Sequence, residues 1–268
     1  MSIEGSLLDF RRLDLLAAGN TSLHRIDARA KVAVAFVFVV CVMSFGRYAV
    51  VPLLPFFVFP ILMVASAGLP VAYVARKVAL VLPFAIIVAL PNPWFDREVI
   101  ARIGGVAVTG GWLSFASIVL RSLLAASAAV VLVATTGFPA ICGALERMGL
   151  PRPLAVQLLL LYRYLSLLGA EAARMQAARE LRSGGRPLSP RVYGTLVGNL
   201  LLRTWDRAER IYMAMRARGF DGAFHGGRTA SFGWRDGVFL CGWAALLLGL
   251  RTQALPQQLG AAILELVR

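Results

Sequence analysis

Residues 30–67 read AKVAVAFVFVVCVMSFGRYAVVPLLPFFVFPILMVASA, and Lys31 and Arg47 are their only charges. A helix rises about 1.5 Å per residue, so about 20 apolar residues cross a hydrocarbon core about 30 Å thick. Gly46-Arg47-Tyr48 divides the stretch into two hydrophobic segments, near 30–46 and 49–67, each read as a span. Working outward, a third run covers about 72–90, with Arg76 and Lys77 at its membrane boundary. It ends at Pro91-Asn92-Pro93, which does not continue a regular helix. A polar loop over 92–110 leads to a fourth span, 111–136, and a fifth lies near 237–250. The whole chain agrees: 59% of its 268 residues are hydrophobic, 16% are charged, and the mean hydropathy is +0.72. A soluble domain runs near a quarter charged, so a disordered chain, a disulfide-rich module and a soluble enzyme are excluded. The fold class is all-α, a polytopic helical membrane protein with about five transmembrane helices.

Between the fourth and fifth spans the composition changes. Residues 152–220 hold 12 Arg and 4 acidic residues, interleaved with Leu, Ala, Met, Tyr and Trp. Pro151, Pro153, Pro187 and Pro190 divide them into two long helices, about 153–183 and 190–219, with Gly184-Gly185 and then Gly219 and Gly222 as stops. The apolar start of the first, 154–168, is able to embed partly in the membrane. Arg203, Arg207, Arg210 and Arg218 lie opposite Trp205, Ala208, Tyr212 and Met215 on the second, so both helices read as amphipathic and docked on a membrane or partner.

With the N-terminus inside, 22 Lys and Arg fall on the cytoplasmic side and 5 on the other, which places the basic block in the cytoplasm. The net charge of +14 is thereby explained without nucleic acid. The organisation is a cytoplasmic N-terminal arm (1–29), spans 1–4 (30–136), a cytoplasmic coupling-helix domain (137–235), and a last span with a C-terminal tail (236–268). The arm has no signal-peptide core, and 256–268 is a candidate interfacial helix.

Chemistry is sparse. Arg121 is the ionisable group at mid-depth of the fourth span. It is read as bonding carbonyls in the bundle interior or facing a neighbouring subunit, with a substrate or coupling role as the alternative. Cys41, Cys142 and Cys241 have no metal or redox spacing and read as buried thiols. His24 and His225 lie outside the spans, and His24, beside Arg25 and Asp27, reads as solvated or capping. No metal-binding pair and no phosphate loop occurs, so no catalytic residue is assigned.

Two short signatures end the two basic helices: Leu181-Arg182-Ser183 and Ala217-Arg218-Gly219. Small residues beside an arginine permit close approach, while the guanidinium bonds carboxylates or carbonyls in a groove. One such arginine is what a helix C-terminus favours anyway; two on consecutive amphipathic helices favour partner docking.

Here the chain resembles the transmembrane T components of energy-coupling factor (ECF) transporters. Ala217-Arg218-Gly219, followed by Phe220, matches that family's Ala-Arg-Gly-like coupling signature. Leu181-Arg182-Ser183 keeps the arginine and a small residue, with Leu in place of Ala. Ser22-Leu23-His24-Arg25-Ile26-Asp27-Ala28-Arg29-Ala30-Lys31 resembles the family's start, and the resemblance covers roughly 20–250. Among branches the chain is most similar to CbiQ, the cobalt-transporter member.

The resemblance implies a non-catalytic subunit of the bacterial inner membrane, carrying motion from two ABC-type ATPases to a substrate-binding membrane subunit. That subunit is CbiM-like, with a small CbiN-like accessory as an option. Arg182 and Arg218 would dock on the ATPases, and Ser183, Ala217 and Gly219 would keep the helix ends slim. ATP and Mg belong to the ATPases and cobalt to the substrate-binding subunit, with no cofactor bound by this chain. Nickel, a vitamin such as biotin, and a self-contained secondary transporter are the alternatives.

Overall fold

A computed structural model of the chain describes residues 12–96, 99–103, 106–184, 189–222 and 232–252. Residues 1–11 of the arm, Gly185, Pro187, His225 and the segment 256–268 lie outside them. Helix α1 (Ala28–Met43) begins where the Asp27 carboxylate accepts the Arg29 backbone N–H at 2.8 Å, an N-cap that satisfies a first-turn donor. It stops before Gly46-Arg47-Tyr48. The second expected span opens as a 3₁₀ turn, Val51–Phe57, because Pro52 and Pro55 remove backbone donors; it then becomes helix α2 (Val58–Ala67).

The third run is a 25-residue helical rod, Val71–Phe95, built from α3 (Val71–Ala79), α4 (Leu82–Ala89) and α5 (Asn92–Phe95). Its breaks fall next to Pro83 and Pro91. Proline fits the first turn of a helix, where its missing N–H has no partner to lose, so the rod resumes beyond Pro91-Asn92-Pro93 instead of ending there. The stretch expected as a polar loop contains an antiparallel hairpin, β1 (Val99–Ile103) and β2 (Val106–Thr109), in the register Ile103 with Val106 and Val99 with Thr109. Its β-branched residues favour that pairing.

Helix α6 (Gly110–Thr136) carries the fourth span, α7 (Phe138–Arg147) is a short helix the sequence reading passed over, and α8 (Arg152–Arg182) and α9 (Pro190–Ala217) are the two basic helices. Helix α10 (Trp234–Thr252) is the fifth expected span. The chain divides into two compact units: Met1–Leu15 with Phe138–Thr229, and Leu16–Gly137 with Ala230–Arg268.

In the second unit α6 is central, contacting α1, the 3₁₀ turn, α2, α3, α4 and α5, while α10 packs on α1. Most of the buried side of α6 is small, as at Gly110, Gly111, Ser114, Ser117, Ser127, Ala128 and Ala134, with Leu124, Val131 and Thr135 buried beside them. Small residues let helix backbones approach where lipid gives no hydrophobic drive between them. At Gly111 the approach is extreme, since a Cβ would stand 2.5 Å from Pro93 Cα. Phe38, fully buried, stacks on Phe59 at 4.5 Å between centroids, and Trp243 meets Phe59 edge-on at 4.9 Å. Phe36, Ile61, Phe84 and Ile87 point outward, exposed. Cys241, expected as a buried thiol, is also exposed on α10, whereas Cys41 and Cys142 are buried.

Among the described residues, three helices are long and apolar enough to cross a membrane: Val71–Phe95, Gly110–Thr136 and Arg152–Arg182. Two are expected spans, and the third is α8, whose stretch 153–170 holds Arg163 as its one charge. Helix α1, with 16 residues, is shorter than a straight crossing needs.

Candidate coupling surface

The first unit is built from α7 against α8 and α8 against α9. Phe138 stacks on Tyr162 at 4.7 Å, and the Tyr162 hydroxyl donates to the Asp14 carboxylate. The two long helices are joined by charge: Glu171 accepts from Arg174 at 2.6 Å on its own helix and from Arg203 of α9 at 3.0 Å. Both guanidiniums are largely exposed, so the contribution to stability is small. From this junction α8 runs 11 residues on to Arg182, about 16 Å, and α9 runs 15 on to Arg218, about 22 Å. Ala155 is the one described residue of α8 that is buried, and Leu201, Leu202, Trp205 and Tyr212 of α9 are exposed.

Each helix stops at a glycine in the left-handed region. Beyond α9, Arg218 is the C-cap, Gly219 has φ +74°, and two bonds close the end. Gly219 N–H donates to Arg216 O at 3.0 Å, and Phe220 N–H donates to Met215 O at 3.0 Å. This pair of bonds is the Schellman motif, which places a residue without Cβ at Gly219. Beyond α8, Ser183 is the C-cap, its N–H donating to Arg179 O at 2.9 Å and its hydroxyl to Glu180 O at 2.9 Å. Gly184 follows at φ +60°.

The two signatures therefore differ in register. Arg218 stands one residue before its left-handed glycine, while Arg182 stands two before and is the last helical residue. By glycine register, Ser183 corresponds to Arg218 and Arg182 to Ala217. One residue is about 100° of helix rotation, so the two arginines leave their helix ends at different azimuths. Leu181 is 84% exposed, Arg182, Ala217, Arg218 and Gly219 are exposed, and Ser183 is half-buried. Among the described residues, neither Arg182 nor Arg218 pairs with a carboxylate.

Arg121 belongs to the other unit, on α6, where its guanidinium donates to the carbonyl of Gly46. A cavity of about 430 Å³ there is lined by Arg47, Asn92, Asp96, Ser114 and Arg121. His24, read from sequence as solvated or capping, caps: it bridges a carbonyl in the last turn of the helical stretch 12–17 and a hydroxyl. Its Nε2 donates to Leu16 O at 3.0 Å, and its Nδ1 lies 2.7 Å from Thr21 Oγ1. Partial burial lowers its pKa, the Leu16 bond raises it, and Lys31 lowers it further. The sequence reading missed the Glu171–Arg203 bridge, which has no short-range signal at 32 residues apart. It also missed the glycine register, which the string Arg-Ser-Gly beside Arg-Gly carries openly. Among the described residues no group of three or more His, Cys, Asp or Glu is arranged to hold a metal ion.

Residues 19–228 match the family described as Cobalt transport protein, CbiQ. The chain is 32% identical over 140 residues to the cobalt transport protein CbiQ of Salmonella typhimurium, covering 48% of this chain and 62% of that one. It is 28% identical over 225 residues to the energy-coupling factor transporter transmembrane protein EcfT of Exiguobacterium sibiricum, covering 76% and 83%. The nickel permease LarQ of Lactiplantibacillus plantarum is 34% identical over 103 residues, 38% of each chain. With that match spanning most of a helical, multi-pass membrane chain, the protein belongs to the CbiQ cobalt transport family, as a transmembrane component of the ECF type.

Proposed function

We propose that this chain is the coupling subunit of an ATP-driven importer of the inner membrane, with cobalt as the transported ion. Two cytoplasmic ABC-type ATPases dock on the ends of α8 and α9, and a CbiM-like membrane subunit, with or without a CbiN-like accessory, binds the substrate. The observation that carries this reading is the pair of exposed, glycine-terminated helix ends, each presenting an arginine with no carboxylate partner among the described residues. An arginine fork bonds a carboxylate bidentately, and the left-handed glycine turns the chain away so that the tip enters a groove.

ATP-driven closure of the ATPases moves the two tips. The exposed apolar side chains of α9 deliver that motion to the substrate-binding subunit. ATP and Mg are held by the ATPases, and the cobalt ion by the substrate-binding subunit. Nickel is the second reading for the substrate, favoured by the likeness to LarQ.

Arg182→Ala and Arg218→Ala test the docking. Each is expected to weaken ATPase binding by about 2–5 kcal/mol where a carboxylate is left buried and unpaired. The chain should still insert in the membrane. Full ATPase recovery and full uptake in the double variant would refute the assignment.

A further inference from the structure

The stretch leading into α1 holds buried charge that docking does not use. Asp27, Lys31 and Asp236 are 5%, 2% and 7% exposed. The Asp236 carboxylate accepts the backbone N–H of Asp27 at 2.8 Å, across 209 residues, and that of Gly233 at 2.8 Å. Lys31 Nζ donates to the Thr135 carbonyl at 3.1 Å, in the last turn of α6. Three helix ends, the starts of α1 and α10 and the finish of α6, are thus tied by one polar group. The chain leaves this unit just beyond Thr135, between Gly137 and Phe138, and returns at Ala230.

Buried charges fasten helices less economically than apolar side chains of the same size, and ionisable groups within a membrane bundle mark working parts. This cluster also has unused bonding capacity. Lys31 makes one bond of the three its ammonium can donate, and the buried Asp27 Oδ2 has no partner among the described residues. Asp27 and Lys31 stand four residues apart, one helical turn on one face. That spacing puts the Asp27 carboxylate within a side-chain rotation of the Lys31 ammonium.

We propose that Asp27, Lys31 and Asp236 form a polar clasp that positions the finish of α6 against α1 and α10, releasing and recapturing it as motion enters the membrane bundle. The inference rests on the coupling reading above. Its test uses the complex, with its ATPases and substrate-binding subunit, in lipid nanodiscs for ATP turnover and in vesicles for cobalt uptake. Lys31→Met is expected to keep both ATPases bound and turning over while uptake per ATP falls about tenfold, with Lys31→Arg restoring most of it. Should Lys31→Met fail to insert, Asp236→Asn, which keeps the acceptor for Asp27, takes its place. Unchanged uptake per ATP would overturn the clasp, and so would parallel loss of assembly and uptake that Lys31→Arg does not rescue.

If the unsubstituted chain recruits no ATPases, the coupling reading fails separately. The clasp is then judged on the lone chain by the distance between spin labels at Arg25→Cys, before α1, and Thr136→Cys, at the finish of α6, with Cys241 replaced by Ser. A narrow distribution that Lys31→Met broadens supports it; one that Lys31→Met leaves unchanged refutes it.

Discussion

Gly219 closes the end of α9 in the left-handed region. Its φ of +74° is costly for a residue with a Cβ, yet a Cβ built there meets nothing within 4 Å. Gly219→Ala should therefore act through the backbone alone, costing about 1–2 kcal/mol at the helix end. ATPase affinity is expected to fall while the thermal melt of the chain stays put; an unchanged affinity would mean the Schellman turn is not part of the docking geometry. His24 gives a prediction of a different kind. In the neutral tautomer Nε2–H donates to Leu16 and Nδ1 accepts from Thr21, and burial holds the folded pKa below the ordinary value. The unfolded chain binds the proton more readily, so the stabilisation is complete above about pH 6.5 and drains away as pH falls from there. Melting temperature in detergent should drop below that pH, and His24→Gln should remove this part of the slope.

Helix α8 joins two kinds of sequence in one rod. Its stretch 153–170 is apolar enough to enter lipid, and from Glu171 onward it is charged. The arginine-rich composition of the whole block points to the cytoplasm, whereas length and hydropathy of the helix alone admit a crossing; both follow from the same residues averaged over different windows. The apolar half is expected to lie in the membrane boundary and the charged half in water. A cysteine at Leu161, which is exposed on the helix, should resist a water-soluble maleimide while one at Arg179 reacts. Equal labelling of both would place the entire helix in solvent.

The hairpin at Val99–Thr109 was legible and passed over. Val99-Ile100-Ala101-Arg102-Ile103 and Val106-Ala107-Val108-Thr109 are runs rich in Val, Ile and Thr separated by Gly104-Gly105, a hairpin signal. Reading 92–110 as polar weighted its flanks over its centre. Conversely, the continuation of the third rod past Pro91 follows from where proline is tolerated, which depends on whether a new first turn begins there.

At the scale of the molecule, the membrane class and the order of helices follow from hydropathy, because about 20 apolar residues have few other uses. The ends of α8 and α9 followed from proline and glycine punctuation. Long-range ties did not: nothing local in Asp236 or Lys31 announces Asp27 or Thr135 as partner. Arg182 and Arg218, the arginines of the proposed docking, stand out in the sequence as a motif, but the one-residue offset between them emerges only when each is counted from its left-handed glycine. Under the proposed docking, that offset makes the two ATPase contacts inequivalent.

The most direct measurement is native mass spectrometry of this chain, released from its own membrane in mild detergent, beside its Arg182→Ala, Arg218→Ala double variant. The expected result is one chain with two ATP-binding subunits and a substrate-binding membrane protein, and loss of the ATPases from the double variant. Recovery of the chain alone, with cobalt uptake by that chain in vesicles without ATPases, would contradict it.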